Sequence, residues 1–289
     1  MDLAIITPTT VPGLAMEQPI QALHTRLLWF KMYHECHRAR GRDAYFRILY
    51  WDAATKADRF FDLAHELAPQ EIVPRPGTTQ EVLADIDYLQ QELHYNAHYM
   101  VIPEGRTWDE YLAHTEELLS IKGVATLGIR YEVAQLFGTQ TRMSMLERLG
   151  SFLRAKNKRV NIHLIDCDPK CLELRLIPRV YPWIRSIETA APIVWGMALA
   201  PFDPEIPVPE DVEAPTMPSG YLRAHLTVPQ TKIAKFNITV ATNWGNGVGM
   251  QTRLVPPQRE ATPPPSVQGR VRLLTPYKRQ TALRDRRTV

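Results

Sequence analysis

Cysteine is scarce. The 289 residues hold three, Cys36, Cys167 and Cys171, too few and too unevenly spaced for a disulfide framework, which points to a reducing compartment. No run approaches the roughly 18 to 20 apolar residues of a membrane helix. No basic segment followed by an apolar one opens the chain. A soluble, cytoplasmic protein with no membrane partner is therefore expected. A glycine-rich nucleotide fingerprint after the first apolar run is also missing, which argues against a doubly wound dinucleotide fold. Zinc sites pair Cys or His at short fixed spacings. His163, Cys167 and Cys171 with Asp168 between them, and the separate His34, Cys36 and His37, form only irregular sets, so neither a metal nor another cofactor is expected.

The hydrophobic content of 45% can supply one large core. Net charge is only +3, but it is unevenly spread. Residues 254–289 carry eight Arg or Lys against Glu260 and Asp285, +6 locally, which leaves −3 on the rest. Such a tail suits salt-sensitive attraction to a polyanion, or a solvated flexible terminus.

Short apolar, β-branched runs alternate with helix-patterned stretches. Strands are expected at 3–7, 46–51, 71–74, 99–103, 126–129, 160–165 and 184–187, and a last short one at 192–197. Helices are expected at 20–40, 57–67, 79–93, 108–119 and 143–155. This alternation predicts a (β/α)8 TIM-like barrel over 1–200. A proline-rich wrap and a helix at 228–244 occupy 201–253, and the basic tail 254–289 follows.

In such a barrel the chemistry gathers at the C-terminal strand ends. Asp52, Glu104, Asp166 and Glu188 sit there or close by, with Arg75 and Arg130 on two other strands. Several carboxylates on one rim can divide into nucleophile and acid/base as crowding separates their pKa values; such residues also cap helices. His24, His34, His37, His65, His94, His98, His114 and His225 are expected in helices or on the surface, whereas His163 lies inside a strand. Trp51, Trp108, Trp183 and Trp195 are read as barrel packing, although such rings can stack on bases.

Five segments in order, Tyr50-Trp51-Asp52-Ala53-Ala54, Glu71-Ile72-Val73-Pro74-Arg75, Ile102-Pro103-Glu104-Gly105, Ile162-His163-Leu164-Ile165-Asp166 and Arg185-Ser186-Ile187-Glu188-Thr189, resemble motifs of the tRNA-guanine transglycosylase superfamily. They are nearer to its phage and bacterial DNA 7-deazaguanine members. The resemblance runs to about Gly196, with a weaker echo at 235–238. It implies base exchange in DNA, with tRNA a lesser candidate, through a glycosyl-enzyme intermediate, and a deazapurine as small-molecule substrate. On that reading Glu188 is the nucleophile and Asp52 the acid/base. Arg75, Glu104, Gly105, Gly128, His163 and Asp166 form the base pocket, with Glu104 pairing Arg75. The superfamily's zinc motif, Cys-x-Cys-x-x-Cys with a later His, does not occur here. Two other functions compete: a noncatalytic scaffold derived from that superfamily, and an unrelated barrel hydrolase or lyase that uses the acidic rim on a small molecule.

Overall fold

A computed structural model describes residues 1–31, 34, 35, 38, 45–136, 138, 139, 141–209 and 211–247. Its elements alternate as the apolar pattern requires: β1 (Asp2–Ile5), β2 (Ile20–His24), β3 (Phe46–Tyr50), α1 (Ala57–Leu67), β4 (Glu71–Val73), α2 (Thr79–Glu92), β5 (His98–Val101), α3 (Trp108–Leu118) and β6 (Val124–Arg130). There follow α4 (Val133–Leu136), α5 (Met143–Ala155), β7 (Asn161–Ile165), α6 (Leu172–Val180), β8 (Ser186–Thr189), α7 (Ala191–Met197) and α8 (Val228–Gly245).

The eight strands are parallel wherever they pair, in the order β1-β8-β7-β6-β5-β4-β3-β2. They form a TIM-like (β/α)8 barrel that is nearly closed. β1 and β2 are neighbours, yet no ladder joins them among the described residues. One apolar cluster fills the space between strands and helices, with Leu3, Leu49, Ile72, Leu127 and Leu164 facing Phe60, Ile86 and Leu146. A second fills the barrel with Ala4, Ala22, Ile48, Tyr50, Met100 and Ile165. At its lower end Arg185 donates to Glu71 at 2.7 Å and lies over the Phe46 ring.

Two expectations are corrected. Residues 20–24 form a strand rather than the start of a helix. Ile20 and Ala22 face the barrel interior while Leu23 faces the outer helices, so the run is apolar on both sides and carries no period of two. The helix expected over 20–40 also covers 32, 33, 36, 37, 39 and 40, which lie outside the described residues. Residues 192–197 belong to a helix, α7, started by Pro192 in its first turn. The eighth strand is thus β2.

Residues 201–218, the proline-rich stretch, carry no helix or strand among their described residues, and a 3-10 turn at Tyr221–Arg223 follows. The stretch is tied down by polar contacts: the Phe202 N–H donates to Asn237 Oδ1 at 2.7 Å, and Trp244 Nε1 donates to the Pro204 carbonyl at 3.1 Å. A capping box of Thr227 and Gln230 starts α8, which crosses α7 at Gly196. A Cβ there would stand 2.7 Å from the Ala234 backbone. Gly196→Val is expected to cost about 1–3 kcal/mol by forcing the helices apart, read as a lower urea midpoint; an unchanged midpoint would show that the crossing yields freely.

The described residues lie in one compact unit. The basic stretch 254–289 lies outside the described residues. Among the described residues no helix is long and apolar enough to cross a membrane.

Candidate active site at the barrel mouth

Four strand ends bring titratable groups together: His24 closes β2, Tyr50 closes β3 with Asp52 just after it, Asp166 follows β7, and Glu188 lies in β8. The His24 and Tyr50 rings stack, with centroids 4.3 Å apart. Tyr50 donates its hydroxyl to Glu188 Oε2 at 2.7 Å, and His163 Nε2 lies 3.3 Å from the same oxygen. Nδ1 of His163 meets the Ser186 hydroxyl at 2.7 Å. His24 sits between two acids, Nε2 3.8 Å from Glu188 Oε1 and Nδ1 3.7 Å from Asp52 Oδ1. Asp52 is fixed by the Arg26 N–H at 2.9 Å and the Thr25 hydroxyl at 3.0 Å.

This arrangement divides the charges. Burial opposes a proton on His24, but Asp52 and Glu188 outweigh it and raise its pKa to about 9. Burial pushes Glu188 up, yet His163 and His24 overcome it and hold the carboxyl far below its ordinary range. Asp52 is likewise lowered, since His24, the Arg26 N–H and Thr25 outweigh burial. Asp166 goes the other way: burial, then the charges of Glu188 and Glu132, lift it to about 6. Burial and Glu188 keep Tyr50 protonated. At neutral pH the mouth therefore holds an imidazolium braced by two carboxylates, beside an acid poised near its titration point.

The shift on His24 has a consequence for stability. Its folded pKa exceeds its unfolded value of 6.5, so the stabilisation is complete below about pH 6.5 and is lost as pH rises through about 9. At ~1.36 kcal/mol per pH unit it amounts to roughly 3 kcal/mol. The denaturant midpoint is expected to fall across that window in the wild type and to stay nearly flat in His24→Gln. An equal fall in both would place the effect elsewhere.

Asp166 also lines a cavity of about 390 Å³ beside the ends of β7 and β8, walled by Tyr131, Glu132, Thr189 and Trp195 and roofed by residues 214–217 of the proline-rich stretch. A larger hollow of about 650 Å³ lies between residues 11–18 and α8. It holds none of the residues described above, so the smaller cavity is the candidate.

The sequence-derived residues do not all converge. Asp52, Asp166 and Glu188 meet at the mouth, with His163 fully buried beneath. Arg75 does not pair with Glu104: its Nε donates to Asp85 at 2.9 Å, and its guanidinium lies 4.5 Å over the Trp51 ring. Glu104 is half exposed, with Arg130 at 3.4 Å. Gly105 abuts the backbone at Tyr111, where a Cβ would clash at 2.4 Å. Gly128 faces the barrel interior, its missing Cβ leaving room for Ile165 and Ile102.

Of the first irregular set, Cys167 and Asp168 come together with Glu173, which the sequence did not single out, but both carboxylates are committed. Asp168 caps α6 by accepting the N–H groups of Leu172 and Glu173 at 2.9 and 2.7 Å. Glu173 pairs with the fully buried Arg142 at 2.6 Å. His34 pairs with Glu66 at 2.9 Å, while Cys36 and His37 lie outside the described residues.

No family model matches the chain, and no curated protein does. Solved structures similar to it include protein CitE from Mycobacterium tuberculosis, in complex with magnesium and acetate, at 12% identity over 65% of this chain and 84% of that one, with a TM-score of 0.41. Another is 3-keto-L-gulonate-6-phosphate decarboxylase from Vibrio cholerae, at 12% identity over 66% and 89%, with a TM-score of 0.42. Likeness of this degree leaves the chemistry to the site itself.

The transglycosylase resemblance is corrected by these findings: no family model matches the chain, and neither similar structure named is a transglycosylase. The site gives the physical reason. Both oxygens of Glu188 face donors, and it is 1% exposed, so it is a braced anion rather than a free nucleophile. Arg75, Glu104 and Gly105 assemble no base pocket. Base exchange, the deazapurine substrate, the DNA or tRNA partner and the derived noncatalytic scaffold fall with the resemblance. An acidic mouth repels phosphates.

Proposed function

We propose that the chain is an enzyme acting on a small organic molecule by proton transfer, a lyase or hydrolase with its reaction centre at the barrel mouth. The observation that carries this reading is geometric: His24 stands between Glu188 and Asp52 at 3.8 and 3.7 Å, and Asp166, on the same strand-end face, lines a cavity of about 390 Å³. At neutral pH Asp166 is mostly ionised and serves as base; His24, engaged through both ring nitrogens, carries the positive charge that holds the mouth's carboxylates in place. Glu188 and Asp52 hold the imidazolium, Tyr50 and His163 hold Glu188, and the cavity takes the substrate body.

The test is to incubate the protein with pooled small metabolites and follow them by mass spectrometry, beside Asp166→Asn. A compound consumed by the wild type and spared by the variant supports the reading. Water gained across the broken bond marks a hydrolase, and its absence a lyase. If the two proteins leave the same pool, the reading fails.

A further inference from the structure

We infer that the cavity beside β7 and β8 binds a small organic cation, a protonated amine on an apolar body, with Asp166 as its counter-ion and Glu132 adding negative charge. This deepens the proposed function by naming the substrate class of the same site, and it rests on that reading.

The wall chemistry supports the choice. Asp166 and Glu132 line the cavity, and no Lys, Arg or His does. Among the described residues no hydrogen bond or ion pair engages the Asp166 carboxylate, although it is only partly exposed. The nearest cations are spent elsewhere. Arg142 is bound to Glu173 and to the carbonyls of Ile129, Ile165 and Asp166, and His24 is braced between Glu188 and Asp52. An anionic ligand would meet like charge with nothing to neutralise it, and a neutral one would leave Asp166 unpaired.

The remaining walls suit the rest of such a ligand. Trp195 commits its indole N–H to the Pro169 carbonyl at 2.8 Å, so it offers the cavity no donor, only ring surface. Val194 and Met217 add apolar surface. Aromatic faces attract ammonium groups, and the volume admits a body of one ring with a short chain or larger.

The experiment is calorimetric titration of the whole chain at neutral pH with three probes of one shape: 2-phenylethylamine, 2-phenylethanol and phenylacetate. The amine is expected to bind at least about tenfold more tightly than the alcohol, and phenylacetate not at all. Asp166→Asn is expected to remove that advantage while leaving alcohol binding unchanged. Glu132→Gln, at an exposed position, is expected to weaken the amine by a few-fold and guards against a misfolded first variant. Equal binding of amine and alcohol, tighter binding of phenylacetate, no binding of any probe, or an amine affinity that survives both substitutions would overturn the inference. Turnover of an anionic compound would sink it while sparing the proposed function. Amine binding without any turnover would do the reverse.

Discussion

Arg142→Met is expected to destabilise the protein by roughly 3–5 kcal/mol, enough to unfold many domains. The guanidinium is fully buried and shares its N–H groups among Glu173 and three carbonyls at the ends of β6 and β7. Removing it strands a buried carboxylate and leaves those carbonyls without donors. The double variant Arg142→Met, Glu173→Leu is expected to recover most of the loss, because the penalty comes from the uncompensated charge rather than from the missing pair. Denaturant midpoints of the two variants check this. A single variant as stable as the wild type would show that the pair does not hold the strand ends together.

The second large effect concerns catalysis. Asp166→Asn is expected to lower kcat/KM by about 10²–10⁴-fold on the substrate found by the metabolite screen. The sign of the pH profile follows from the two raised pKa values. Asp166 must be ionised, so activity rises with pH through about 6; His24 must be protonated, so activity falls again through about 9. Asp166→Asn removes the acid limb together with most of the rate, and His24→Gln removes the alkaline limb. A wild-type profile flat from pH 5 to 10 would rule out both assignments.

The barrel was legible because seven of its strands are short apolar runs separated by helices with clear spacing. Asp52, Asp166 and Glu188 were legible for the same reason, since a strand end can be read from where apolarity stops. His24 was not. It closes the one strand that reads as a helix, and a histidine in a helix carries no signal. The useful cue was the chain length: one more strand was needed between 7 and 46, and Ile20 to Leu23 is the apolar run that could supply it. Tyr50 was passed over as part of a strand, although its hydroxyl donates to Glu188. Arg142 and Glu173 lie 31 residues apart, and only packing reveals that they meet. The family resemblance failed through side-chain direction. Arg75 and Glu104 stand near strand ends in sequence, but one turns back onto Trp51 and Asp85 and the other to solvent.

The ring of strands is incomplete between β1 and β2, and what spans that gap is charge. His24 ends β2, Glu188 belongs to β8, and β1 lies between them with the small Ala4 level with Glu188. Attraction between imidazolium and carboxylate therefore links the two strands on either side of β1. When His24 gives up its proton that attraction is lost, so the charge that lowers Glu188 and Asp52 is also the charge that links β2 to β8.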